Sequence, residues 1–189
     1  MHLARSPRRL RIVAASRLVV GLGVSLWSSG LWADQSCDTS IYPLSTPTSR
    51  FEDHGDGTVT DRQSKLMWMR CSAGQTWSSG RCTGEALGLT WPAAQAAAQA
   101  INQAGQFFFK DWRLPQLPEL ASIAERQCKD PRINLSVFPA TAATAYWTAT
   151  SRTPEPGTAE AYTLSFGAEG VRYAPKTESH DLRLVRTTP

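Results

Sequence analysis

The sequence predicts an α+β domain built on antiparallel sheets, preceded by a leader that is not part of the fold. Three observations carry this. Short runs rich in β-branched and aromatic residues gather at both ends of the region after residue 33, at 58–60, 66–69, 145–150, 161–166, 171–173 and 182–186. Two stretches with helical spacing, 91–103 and 117–126, lie between them. The helices are grouped instead of alternating with strands, which is the pattern of antiparallel α+β rather than parallel α/β.

The leader comes first in the chain. Arg5, Arg8, Arg9, Arg11 and Arg17 form a basic segment, residues 18–27 an apolar run, and residues 28–33 a small-residue exit ending at Ala33. This is the layout of a secretory signal peptide over residues 1–33. The apolar run falls short of the roughly 20 residues a spanning helix needs, so no membrane span is expected after cleavage. The Arg8-Arg9 pair leaves twin-arginine export open beside the general route. The whole chain has 20 Lys and Arg against 16 Asp and Glu, a net charge of +4. Five of the arginines belong to the leader, which leaves fifteen basic against sixteen acidic residues. The basic character therefore leaves with the leader, and nucleic acid is not an expected partner.

Residues 34–49, rich in Ser, Thr and Pro, read as an extended lead-in without a core of its own. The domain proper is expected over 50–189. Asp53, Gly55, Asp56 and Gly57 mark a turn between an opening strand at 50–52 and the strand at 58–60. Leu66-Met67-Trp68-Met69 is apolar on both faces, which belongs to a central strand. Thr90 is suited to cap the first helix, Pro92 to its first turn and Gly105 to its end. Trp91, Ala94, Ala97, Ala98 and Ile101 give that helix a narrow apolar stripe. The stretch 107–120 reads as a hub: a buried strand carrying Phe107 and Trp112, a stop at Pro115, and a second helix opening with Pro118 and Glu119. Residues 128–144 lack a period and read as a long loop that docks Ile133, Leu135, Val137 and Phe138 on the core. Strands at 145–150 and 161–166 flank an exposed loop holding Pro154 and Pro156, and 171–173 and 182–186 close the sheet.

Four cysteines, Cys37, Cys71, Cys82 and Cys128, lie beyond the leader. An even count in an exported chain reads as two disulfides, with three pairings open. The preferred pairing is Cys71–Cys82, because the Ser- and Gly-rich segment between them folds back readily; Cys37–Cys128 is then the remainder. Zinc is disfavoured, since no close cysteine pair or neighbouring histidine is present.

These residues resemble a known family. Gly55-Asp56-Gly57-Thr58-Val59-Thr60-Asp61, Leu66-Met67-Trp68, Asp111-Trp112-Arg113-Leu114-Pro115 with Glu119-Leu120, Ile133-Asn134 with Val137-Phe138-Pro139, Tyr146-Trp147-Thr148, and Leu182-Arg183-Leu184-Val185-Arg186 occur in the order seen in the Lcl C-terminal domain family. This is a bacterial exported domain named for the tip of a collagen-like adhesin. The resemblance implies a C-type-lectin-like fold, with twisted antiparallel sheets, two flanking helices and long loops, distantly similar in shape to the formylglycine-generating enzymes. Ser64-Lys65 stands where members carry Thr-Gly, so that turn is expected to differ. No collagen-like Gly-x-y tract precedes the domain, so an adhesin role is not carried over intact.

Candidate binding residues are few. Trp77, in a polar Gly-rich loop, offers a flat apolar face for a sugar ring, or packs over the disulfide. Arg172, Lys176 and Arg183, with Arg186, suggest a basic strip for acidic glycans, or a solvated strand face. Asp53, Asp56 and Asp61 are weak calcium candidates, outweighed by their turn-capping role because the spacing of a calcium loop is missing. No catalytic residue is assigned: His54 and His180 are far apart, and no nucleophile elbow or phosphate loop appears. The expectation is an exported, periplasmic or secreted or cell-surface binding module without a required cofactor, whose partner is a glycan or an extracellular protein. The alternatives are a degenerate enzyme of the formylglycine-generating shape and a structural envelope protein.

Overall fold

The computed structural model of the protein describes residues 35–105, 108–152 and 159–188. The expected leader, Phe107 and the loop around Pro154 and Pro156 lie outside them. In chain order the strands are β1 (Ser36–Cys37), β2 (Phe51–Asp53), β3 (Thr58–Asp61), β4 (Leu66–Met69), β5 (Thr76–Ser78) and β6 (Arg81–Thr83). Two helices follow, α1 (Trp91–Ala104) and α2 (Leu117–Ser122), then β7 (Cys128–Lys129), β8 (Ala145–Arg152), β9 (Glu160–Ser165), β10 (Val171–Pro175) and β11 (Val185–Thr187). All named strand pairs are antiparallel, and the fold is α+β.

The main sheet has the order β11-β4-β3-β2. Its C-terminal strand zips onto β4 near the N-terminus, pairing Val185 with Trp68 and Arg186 with Met67. All four residues of β4 are buried, as its two-faced apolar run predicts. The β2–β3 turn is held by its carboxylates: Asp53 accepts from the Gly55 amide at 2.9 Å, and Asp56 from the Thr58 amide and hydroxyl at 2.9 and 2.7 Å. Lys65, in the place of the family's glycine, keeps that turn by adopting a left-handed backbone (φ 59°).

A second sheet, β10-β9-β8, is buried at β8 on both faces. Tyr146 faces a core shared with Trp68, Leu120, Ile133, Val137 and Phe138, and Trp147 faces one shared with Met67, Met69, Ala94 and Ala98 of α1. The long loop 128–144 thus docks as expected. Thr90 caps α1, its hydroxyl accepting from the Ala93 amide at 3.4 Å, and Gly105 (φ 66°) ends it.

The hub differs from expectation. The described part, residues 108–114, is not a buried strand: Phe108 is 97% exposed, Trp112 and Leu114 turn inward, and Phe109 packs half-buried against the same core. The Asn102 side chain of α1 takes both backbone groups of Trp112, each at 2.8 Å, and so replaces a ladder. Only Arg113 bridges a strand, exchanging two bonds with Val185 at 2.9 and 3.0 Å. Helix α2 stops at Ser122 instead of 126 because Glu125 is drawn into a different role. The closing strand is shorter too: it runs over Val185–Thr187, while Leu182, Arg183 and Leu184 are buried ahead of it and the Leu184 carbonyl accepts from the Met69 amide at 3.1 Å.

The lead-in is stitched down far more firmly than its composition suggests. Cys37 is bonded to Cys128, and β1 pairs with β7. Glu125, fully buried, accepts five bonds: from the amides and hydroxyls of Ser45 and Thr46 at 2.7–2.9 Å, and from the Gln127 amide at 2.9 Å. Burial alone would raise this carboxyl, but the converging donors outweigh it and lower it from 4.5 to about 2. A depressed carboxylate contributes stability that is complete above about pH 4.5 and is lost as pH falls toward 2. The contribution is on the order of 3 kcal/mol. In urea titrations, Glu125→Gln is expected to be less stable than wild type by this order at neutral pH, with the gap closing as the solution is acidified through that window. A gap that stays constant with pH would contradict this role.

Candidate functional site

A cleft of about 510 Å³ opens between α1, the end of β4 and the loop closed by the Cys71–Cys82 disulfide. Such a volume lies within the range of small-ligand sites. The disulfide loop folds back as the β5–β6 hairpin, with Trp77 paired with Cys82 across it. This register places the Trp77 side chain at the rim of the cleft, half-buried.

The indole is fixed from several sides. Its Nε1 donates to the Gly55 carbonyl at 3.2 Å, and the Arg70 guanidinium lies 4.3 Å from the ring centre. Gly57 (φ 96°) is required beneath it, since a Cβ there would come within 2.7 Å of the ring. Arg70 is itself held by Asp53 at 2.6 Å and by the carbonyls of Val137 and Ser136 at 2.8 and 2.9 Å. Trp77, set opposite Cys82 in the hairpin, therefore presents a fixed, half-buried aromatic surface at the rim beside the disulfide.

The other walls are apolar. Leu87, 54% exposed, is folded over Gly74 by a bond from its amide to the Ala73 carbonyl at 2.8 Å. Ala97, Ala100 and Ile101 of α1 complete the pocket, and the short alanines leave the space open. Ser72, Gln75 and Thr76 put polar groups along the rim, and Asp56 is the one ionisable side chain in the lining. Sequence reasoning found Trp77 but missed Leu87, Ala97 and Ala100. The signal available was the run of alanines in α1, wider than a single buried stripe requires.

The basic strip does not form. Arg183 is fully buried: it donates to the carbonyls of Met69 (2.9 Å) and Arg70, and to the hydroxyls of Thr141 (2.7 Å) and Ser72 (3.4 Å). Desolvation pushes the guanidinium below the ordinary arginine range, opposed by Tyr146 and Asp181. Alternation along 182–186 suggested a solvated face; in fact both faces of this segment are covered. Arg186 is buried as well and pairs with Asp111 at 2.7 Å. Arg172 remains exposed near Glu169, and Lys176 lies 3.8 Å from the centre of the Trp91 ring.

The three aspartates are employed separately. Asp53 binds Arg70, Asp56 caps Thr58, and Asp61 is fully buried against Arg50 at 2.5 Å. Burial acts to raise the Asp61 carboxyl, and the bonds from Arg50, Ser64 and Gln63 outweigh it and lower it. Among the described residues no three His, Cys, Asp or Glu side chains gather as metal ligands would.

Arg113 and Glu119 form a two-pronged ion pair at 2.7 and 2.8 Å across the turn into α2. No helix among the described residues is long and apolar enough to cross a membrane. Both disulfides suit an oxidising compartment.

Among known families, the model described as the Lcl C-terminal domain matches residues 57–186, well over half of the chain. The comparison with curated proteins gives no match.

Proposed function

The chain belongs to the Lcl C-terminal domain family, and on that premise we propose that it is an exported, non-enzymatic binding module that receives its ligand in the cleft beside Trp77. The observation that carries this reading is a preformed hollow with a rigid indole at its rim and one lone ionisable group in its lining. Acid–base catalysis needs a second positioned group, and thiol chemistry needs a free cysteine; Cys71 and Cys82 are bonded to each other. A purely structural envelope role would not call for a hollow of this size.

The ligand class that best matches is a glycan. One flat apolar sugar face stacks on Trp77 and the leucines, while Ser72, Gln75 and Thr76 meet its hydroxyls. The apolar walls at Leu87, Leu89 and Ile101 favour a second reading, an apolar side chain of an extracellular protein. Calcium is not required on either reading, because the candidate aspartates are already engaged.

Glycan and peptide arrays probed with the purified protein, with and without a calcium chelator, test this. Binding is expected to be chelator-insensitive. Trp77→Ala is expected to weaken it by at least about tenfold, the order of one lost aromatic stack. Ala100→Trp, which fills the cleft from an exposed helix position, is expected to do the same without touching the core. Binding that survives both substitutions would place the site elsewhere.

A further inference from the structure

We propose that the corner where the lead-in is stitched to the domain is a docking surface for an anionic lipid membrane. It is independent of the cleft and lies at the other end of the disulfide framework, around Cys37–Cys128.

The first observation is a surplus of cations over carboxylates. Most arginines in the described residues have a carboxylate partner: Arg50, Arg62, Arg70, Arg113, Arg152, Arg172 and Arg186 are each in an ion pair. Arg183 is buried, which leaves Arg81, Arg126 and Arg132. Two of these three, with Lys129, open into one surface hollow of about 290 Å³. Asp38 is the single carboxylate in its lining; its side chain is bonded to the Ser40 amide and hydroxyl at 2.9 and 2.6 Å and feels the Lys129 charge, so one carboxylate faces three cations. Asp130, the next exposed acid, lies outside the lining.

The second observation is apolar. Ile41 and Tyr42, adjacent in sequence, are 77% and 65% exposed and line the same hollow. Two large apolar side chains standing in water beside three cations are the composition of a surface that meets lipid: an aliphatic wedge, an aromatic ring with a polar tip, and basic groups at headgroup level.

The third is rigidity. The cations sit on backbone fixed from outside: the Arg126 amide donates to the Ser45 hydroxyl at 3.0 Å, Lys129 pairs with Ser36 in β7–β1, and the Arg132 amide donates to the Phe166 carbonyl at 2.6 Å. Gln35, the first described residue, bonds the Pro131 and Ile133 carbonyls at 2.7 and 2.6 Å, so the chain enters the domain at this corner. A soluble phosphate ester would satisfy the cations and leave Ile41 and Tyr42 in water. A surface both anionic and apolar satisfies all five.

The test is co-sedimentation of the purified protein with vesicles of phosphatidylglycerol mixed into phosphatidylcholine, against phosphatidylcholine alone, at low and high salt. Three basic side chains at a negative surface are expected to raise partitioning on the order of a hundredfold over neutral vesicles. The triple variant Arg126→Gln/Lys129→Gln/Arg132→Gln is expected to fall to the neutral-vesicle level. Ile41→Ser/Tyr42→Ser is expected to lose the part of binding that survives high salt. Arg81→Gln, a basic residue outside the lining of the hollow, is expected to bind as wild type does. Removal of the leader is checked by mass before the assay, since its five arginines would hold any variant on the anionic vesicles. Equal partitioning to both vesicles, retention by the triple variant, or displacement by soluble glycerol phosphate would each overturn the proposal.

Discussion

Removing the Cys37–Cys128 bridge, by Cys37→Ser with Cys128→Ser, is expected to lower stability by about 4.5 kcal/mol in chemical denaturation, the entropy of closing a loop of this length. The two cysteines are 91 positions apart, so the bridge closes most of the domain, whereas Cys71–Cys82 closes 11. On the same chain-entropy grounds, losing the short bridge costs about 3 kcal/mol. The expected order is therefore long bridge above short. The long-bridge variant is also expected to release the lead-in, because β1 is only two residues long and pairs nowhere but with β7. Hydrogen exchange should then rise at 36–48 while the β11–β4 pairing stays protected. An equal or reversed order of costs would mean that the lead-in is held chiefly by the Glu125 bonds.

Arg183→Ala is expected to be nearly as damaging, at about 3–5 kcal/mol. Among the described residues no carboxylate bonds the guanidinium; the carbonyl dipoles of Met69 and Arg70 and the hydroxyls of Ser72 and Thr141 take the place of water around it. It also packs 4.9 Å from the Phe138 ring centre. Truncation leaves a cavity and buried acceptors without donors, both costly. Arg183→Met is expected to cost less than alanine, since it refills the space and carries no charge to desolvate. Because the acceptors are backbone groups of the segment that forms the cleft wall, Arg183 is a positioning residue for the site. Both variants are therefore expected to weaken ligand binding even where they remain folded. A loss under about 1 kcal/mol for the alanine variant would show that water enters the site and replaces the bonds.

Much of the fold was legible because its signals are local. The Asp-Gly turn at 53–57, the two-faced run at β4 and the capped helix α1 each follow from a few adjacent residues. What was not legible depends on partners distant in sequence. Residues 107–114 look like a strand by composition, yet Asn102 captures the backbone of Trp112 and the described residues 108–114 form no strand. Arg183 looks solvent-facing by alternation, yet carbonyls about 113 positions away accept its protons. Residues 34–49 look loose, yet Glu125 gathers Ser45 and Thr46 from 80 and 79 positions away. The site was half legible for the same reason. A tryptophan in a Gly-rich cysteine loop announces itself, whereas the alanines of α1 become a cleft wall only when the hairpin stands opposite them.

Amide and indole chemical shifts, recorded while a panel of methyl glycosides and aromatic amino-acid amides is titrated in, test the central claim most directly. The account predicts shifts that move together at the Trp77 indole, Gly74, Leu87, Ala97 and Ala100, with β10 unaffected. Shifts concentrated on Val171 and Tyr173 of β10 while the Trp77 indole stays silent would contradict it.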